Sequence, residues 1–401
     1  MLKKYITLLL LAFAGFGLNA QCPPGDVTLS SQAEVDAFVA DYPDCTEIVG
    51  NMLIGSLSSI DPTNITYLSG LSSLISIGGS LSIGNNEGLT SLTGLEQLNS
   101  IGGFLYISNN DALTSLTGLE QLNSIGGDLR ILRNAGITSL IGLEQLASIG
   151  GFLEIRVNAV LTSLTGLEQL ASIGGFLSIG SNEGLTSLTG LEQLSYIGGS
   201  LSIGSNEGLT SLTGLEQLTS IGSLLSIRNN DALTSLTGLE QLSYIGSFLS
   251  IGGNDALNSL TGLENLDANT IADLRVENNL ELSICAIESI CNYLGVETNT
   301  ADISGNATGC ATREEVETAC MVSAKGVSQA NIKLFPNPTN GLLQLRNITA
   351  KEVVVYTSQG QRIARYDSPG QELDLSALPV GVYHLHLITA DAVFAARVMK
   401  Q

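Results

Sequence analysis

Histidine, cysteine and the carboxylates bound the chemistry open to this 401-residue chain. The two histidines, His384 and His386, stand two apart near the C-terminus. On a strand they share a face, a geometry that could hold a metal, but an ordinary strand face explains them more simply. With no histidine elsewhere, no Ser/His/Asp or Cys/His set can be assembled in the rest of the chain. The carboxylates recur instead of clustering: Glu96, Glu120, Glu144, Glu168, Glu192, Glu216, Glu240 and Glu264 follow at intervals of 24. A glycosidase needs a few singular acids flanking a cleft, so a column of identical ones reads as architecture. Calcium wants further Asp and Asn oxygens that each unit lacks. Asn86, Asn110, Asn134, Asn158, Asn182, Asn206, Asn230 and Asn254 form a second column, whose amides are expected to satisfy backbone groups in a bend rather than bind a ligand. No phosphate-cradling glycine motif is present. No catalytic, cofactor-binding or metal-ligating set is expected, and the chain reads as a non-enzyme.

The element that must position these columns is a repeat. Between Tyr67 and Leu282 a 24-residue unit, S-L-T-G-L-E-Q-L-x-S-I-G-G-x-L-x-I-x-x-N-x-x-L-T, recurs nine times. A fixed period of this length predicts a stack in which each unit touches only its neighbours. Leu105-Tyr106-Ile107 alternates in, out, in, as a strand does. Its equivalents Leu129–Ile131 and Leu153–Ile155 would pair in parallel, nine rungs spanning about 43 Å. Gly94 and Gly102 recur with the repeat and are expected to permit corners through unusual backbone angles.

Cys22, Cys45, Cys285, Cys291, Cys310 and Cys320 all lie outside the repeats. An even count in an exported chain predicts disulfides, and the spacings are not those of zinc sites. Cys22 and Cys45 are expected to pair; the last four leave three connectivities open. They are expected to close caps over the exposed ends of the stack, the second cap carrying a short helix over 286–294.

The chain carries 38 acidic against 16 basic residues, a net charge of −22. That balance argues against nucleic acid or an anionic membrane as partner. Lys3 and Lys4, the apolar run to Leu18 and the small-residue exit before Gln21 read as a secretory signal over 1–20. Gln21 is a poor residue before a lipidated cysteine at Cys22. No later segment has 18 uninterrupted apolar residues, so no transmembrane segment is expected.

Where units are nearly identical, the residues that break the pattern are the informative ones. Outward strand positions are mostly serine, but the middle units carry Tyr106, Arg130 and Glu154, with Arg133 and Arg156 just beyond the strand. These five are the candidate binding face, since Tyr and Arg are enriched at hot spots. Drift on a solvated face, with Arg130 paired to Glu154, is the competing explanation. Phe104, Phe152, Phe176 and Phe248 precede the strand leucine and are read as corner packing.

The pattern L-x-x-L-x-x-I-G-G-x-L-x-I-x-x-N-x-x-L over about 48–282 resembles a leucine-rich repeat, and more closely the receptor L-domain. It departs from a plain leucine-rich repeat by one extra residue between Ile101 and Leu105. The resemblance implies a mainly β fold, a right-handed parallel β-solenoid, and by analogy protein or glycan recognition. After a small polar stretch at 321–330, short alternating runs between turn signals read as a small β-sandwich. They include Phe335-Pro336-Asn337-Pro338-Thr339-Asn340-Gly341 and Leu373-Asp374-Leu375-Ser376-Ala377-Leu378-Pro379-Val380-Gly381-Val382-Tyr383. These motifs, with a basic residue near the end, resemble the type A C-terminal sorting domain of the type IX secretion system of Bacteroidota. The resemblance assigns Pro336, Asn337, Pro338, Gly341, Leu378, Pro379, Gly381 and Tyr383 to the sorting motif. It implies type IX secretion machinery as a partner and a Gram-negative source. It further implies transit through the periplasm, and a tail removed at export with the cargo released or surface-attached.

The expected organisation is thus a signal peptide at 1–20, a cap with an irregular first rung at 21–66 and repeats at 67–282. A cysteine-containing cap at 283–320, a linker at 321–330 and a sorting domain at 331–401 follow. The expected function is a secreted or cell-surface recognition or adhesion module for an extracellular protein or glycan. The alternative is a structural surface protein whose solenoid acts as a spacer or self-assembles.

Overall fold

The computed structural model describes residues 22–58, 62–324, 333–346, 348–357, 362–389 and 393–401. The predicted signal peptide and residues 325–330 of the predicted linker lie outside the described residues; residues 321–324 continue the helix Arg313–Ala324.

The described residues of 22–324 form a parallel β-solenoid with two ladders. The front ladder has twelve strands, from Val27–Leu29 through Leu105–Ser108 and Leu153–Arg156 to Ala301–Ser304. The back ladder has nine two-residue strands, from Glu47–Ile48 to Tyr244–Ile245. The front register advances by one repeat at each step: Leu105 opposes Leu129, which opposes Leu153, which opposes Leu177. The L-x-I alternation foretold the front ladder. The back ladder was not foreseen, because a Ser-Ile pair is too short to show a period of two. The front ladder also runs past the repeats, so both caps contribute strands.

Each coil buries one set of side chains. In one turn Leu105, Ile107, Leu113, Leu116, Leu119 and Leu122 are wholly shielded and Ile125 nearly so. At about 1.5–3 kcal/mol for each fully buried aliphatic side chain, these columns supply the main drive for folding.

The corners have two distinct causes. Gly118 has φ +115°, and a Cβ there would collide with the Leu92 carbonyl. Gly126 and its equivalent Gly102 have no positive φ; a Cβ on Gly102 would strike the Gly78 carbonyl of the preceding coil. The expectation of unusual angles therefore holds for the Gly94 column only. In the Gly102 column glycine is needed because successive backbones approach too closely for any side chain.

Both caps are stapled. Cys22 bonds Cys45, Cys285 bonds Cys310, and Cys291 bonds Cys320. The cap helix spans Glu288–Leu294, two residues shorter at its start than expected, with Ile287 at the N-cap.

The tail is a sandwich of two antiparallel sheets. Three strands, Lys333–Phe335, Leu342–Arg346 and Glu372–Asp374, face four: Arg362–Gly370, Ala350–Thr357, Gly381–Ile388 and Val393–Lys400. Leu343, Leu345 and Leu373 from the first sheet share a core with Val353, Val355, Leu385, Leu387 and Val398 from the second.

Candidate recognition face

The two periodic columns that could have been ligands are committed to the backbone. Asn110 donates its N–H to Asn134 Oδ1 at 3.1 Å, and its Nδ2 donates to the Ile83 carbonyl of the preceding coil at 3.0 Å. The same arrangement runs from Asn86 to Asn279, ends on Asn306, and its members from Asn86 to Asn279 are fully buried. Each glutamate of the acidic column accepts the N–H of the glycine two residues before it, as Glu120 does from Gly118 at 3.0 Å. These carboxylates cap tight corners where glycine turns with positive φ. Among the described residues no group of three or more His, Cys, Asp or Glu is placed to hold a metal ion.

What remains variable is the outer surface of the front ladder. Tyr106, Arg130 and Glu154 are consecutive on its central column, where Ser178 continues the row. Arg156 ends its own strand and aligns with Leu132. Arg133 lies one residue beyond its strand at φ 54°, in the column of Asn109 and Val157. Arg133 and Arg156 therefore belong to different columns, a correction to their joint placement beyond the strand.

The pairing also differs from the expected Arg130–Glu154 contact. Arg130 bonds Asp128 at 3.2 Å, two residues back and just before its strand, and Glu154 lies 3.9 Å from Arg156. Residues two apart on a strand share a face, so a local partner competes well with one across the ladder. Arg130 also lies over the Phe152 ring, 4.5 Å from its centroid, and Phe152 stacks on Phe176 at 4.1 Å. Phe104, Phe176 and Phe248 are 41, 37 and 48% exposed, so these rings stand on the face rather than packing inside a corner.

Sequence reasoning missed a second cluster on the same face. Arg228, Phe248, Asp273 and Arg275 surround a depression of about 300 Å³. Arg275 replaces the usual outward serine and Arg228 the usual glycine, so the pattern-breaking test applied to the middle units would have found them. Over residues 22–324 the chain has thirty-three carboxylates but only six basic residues: Arg313, which opens the helix Arg313–Ala324, and five others, Arg130, Arg133, Arg156, Arg228 and Arg275. Four of these five lie in front-ladder strands and Arg133 directly follows one.

In the tail, Asn337 clamps the last strand. Its Nδ2 donates to the Arg397 carbonyl at 2.8 Å and its Oδ1 accepts from Met399 N–H at 2.9 Å. Pro336 and Pro338 flank that clamp. Gly341 has φ +135°, and a Cβ there would press on Ser376. The Leu378 N–H closes a turn onto Leu375, and the buried Tyr383 donates its hydroxyl to the Pro379 carbonyl at 2.7 Å. Gly381 opens the strand that carries Tyr383 and, on its outer side, His384 and His386.

Residues 333–401 match the family described as the secretion system C-terminal sorting domain, and residues 44–137 match the receptor L domain family. No curated protein matches the chain. Among solved structures, a TLR13–ssRNA13 complex aligns at 13% identity with a TM-score of 0.21. The alignment covers 69% of this chain but 61% of that one. Among the described residues no helix is long and apolar enough to cross a membrane. A β-solenoid beginning with a receptor L domain match and ending in a type IX sorting tail makes this chain an exported repeat protein of the Bacteroidota, handled by type IX secretion machinery.

Proposed function

We propose that the solenoid is a non-catalytic recognition module, acting at the cell surface or after release, and that its front face is the binding surface for an extracellular protein or glycan. The observation that carries this reading is the placement of five of the six basic residues of 22–324 on one face of an otherwise acidic stack, the sixth, Arg313, opening a cap helix. Random drift would scatter them over every exposed column. The aromatic residues beside them, Tyr106, Phe152, Phe176 and Phe248, add the rigid apolar contact area that interfaces use. The overall acidity disfavours nucleic acid as the ligand. The periodic carboxylates are tied to backbone amides, and that supports a non-catalytic role.

The test is binding of the purified exported chain to arrays of surface proteins and glycans, at low and physiological salt. Saturable binding that is lost on Arg130→Ala with Arg156→Ala supports the reading. A second reading, a structural spacer or self-assembling surface protein, draws on the uniform outward serines Ser178, Ser202, Ser226 and Ser250. Filaments that grow with concentration, together with blank arrays, would favour it.

A further inference from the structure

The depression near the C-terminal end of the front ladder has a built chemistry of its own. Its floor is made by Ser226 and Ser250, small residues on the central column. Leu224 and Phe248 form one wall, with Phe248 nearly half exposed. Arg228 forms the opposite wall. Its Nε donates to Ser250 Oγ at 3.0 Å, and its terminal nitrogen is paired with Glu277. Asp273 and Arg275, 3.4 Å apart, close the end. Asp273 is held in turn by the Thr300 hydroxyl at 2.8 Å.

The site coincides with a break in the period. Phe248 opposes Asp273, a step of 25 residues where the other repeats step by 24, with the short turn Ala268–Thr270 between them. The extra residue and the change from serine to Arg275 fall on the same rung.

The charges in this site are already balanced. Arg228 has Glu277 and Arg275 has Asp273, so an arriving anion would find no unpaired guanidinium and would meet two carboxylates. What the paired groups offer is a fixed set of donors and acceptors at a partly exposed surface. Hydroxyl groups both donate and accept, so they match such a set. Beside it stands an exposed aromatic ring suited to an apolar ring face. A volume of about 300 Å³ holds a small ligand or one or two units of a longer one. Toward the middle of the stack the next two outward rungs carry only Ser202 with Gly204 and Ser178 with Gly180, so the surface stays low. Phe176 stands three ladder steps from Phe248, roughly 14 Å.

We propose that this depression is a binding subsite for a neutral oligosaccharide. A sugar ring packs on Phe248, and its hydroxyls bond Arg228, the serine floor and Asp273. The remainder of the chain runs along the low rungs toward Phe176. The proposal deepens the recognition reading and rests on it for the choice of face.

The test uses the purified exported chain against immobilised neutral oligosaccharides (glucan, mannan, xylan and chitin fragments) and uronate- or sulfate-bearing ones. Calorimetry on the tightest neutral hit follows, at low and high salt. Saturable binding to a neutral glycan with little salt dependence is expected. Phe248→Ala and Asp273→Asn should each weaken it by about tenfold or more. The melting curve should be unchanged for Phe248→Ala, whose ring is nearly half exposed, and Asp273→Asn keeps the side-chain shape and an oxygen for the Thr300 hydroxyl. Binding confined to acidic glycans and lost in salt would overturn the subsite, as would neutral binding that survives both substitutions. A protein-only hit that depends on Arg130 and Arg156 would overturn the subsite while leaving the recognition face standing. Blank arrays throughout would remove both.

Discussion

Asn134 donates its backbone N–H to the side-chain oxygen of Asn158 at 3.0 Å, and Asn158 binds back past it to the Ile131 carbonyl, also at 3.0 Å. One side chain thus satisfies two buried backbone groups of the preceding coil at once. It does so in the tight turn, where the strand ends and the backbone cannot pair with itself.

Asn158→Ala should therefore be costly although it removes little volume. The Asn134 N–H would be buried without a partner and the Ile131 carbonyl would lose one, so a loss of about 2–4 kcal/mol is expected in urea unfolding. Glu154→Ala, on the exposed face three residues before the same turn, should stay within about 0.5 kcal/mol. Equal effects for the two would show that the ladder does not satisfy buried groups as described.

Val157 occupies the left-handed region at φ 60°, where Asn85, Asn109, Asn229 and Asn278 stand in other coils. A β-branched residue is strained there, and Val157 is 44% exposed, so little packing is at stake. Val157→Asn should raise stability by about 1 kcal/mol. A lower melting temperature for this variant would count against the strain argument.

The bond between Cys291 and Cys320 ties the cap helix Glu288–Leu294 to Arg313–Ala324 across 29 residues. Replacing both cysteines by serine should cost about 2–4 kcal/mol. Neighbouring coils in a solenoid are only locally coupled, so the loss should concentrate at that end. Hydrogen exchange would report it as faster exchange over 283–324, with the amides around Asn134 and Asn158 still protected.

His386 has a displaced titration. Burial, and secondarily the nearby His384, push its pKa below the ordinary histidine value, and the Tyr356 ring lies 4.7 Å from its own. A depressed folded-state pKa means that the unfolded chain binds the proton more readily. The stabilising contribution is complete above the ordinary value and is lost as pH falls from there to the folded-state pKa. With only two histidines, proton NMR can follow both directly. His386, assigned by a His384→Gln variant, should titrate below the value of a free histidine. The tail's melting transition should fall on mild acidification, and His386→Gln should flatten that dependence.

Much of the fold was legible because the determining signals are local and repeated. Leu105-Tyr106-Ile107 carries strand alternation within three residues, and nine copies remove the ambiguity of one. The tail was legible through motifs whose residues act within a few positions, such as Tyr383 reaching Pro379. The back ladder was hidden because Ser100-Ile101 is too short to show a pattern. The partners of Arg130 were hidden too, because Asp128, Glu154 and Phe152 all lay within reach, and only side-chain geometry chooses among them.

The sequence by itself determined that this chain stacks, which residues are internal, and that an export tail follows. Those properties depend on hydrophobic period and turn chemistry, which are written along the chain. Only the tertiary structure decided that residues 24 apart become neighbours on a face. It gathered five arginines scattered from 130 to 275 onto that face, and it set the rung that follows a one-residue insertion beside the depression at Phe248. Proximity across coils depends on the register of stacking, which no single stretch of sequence encodes.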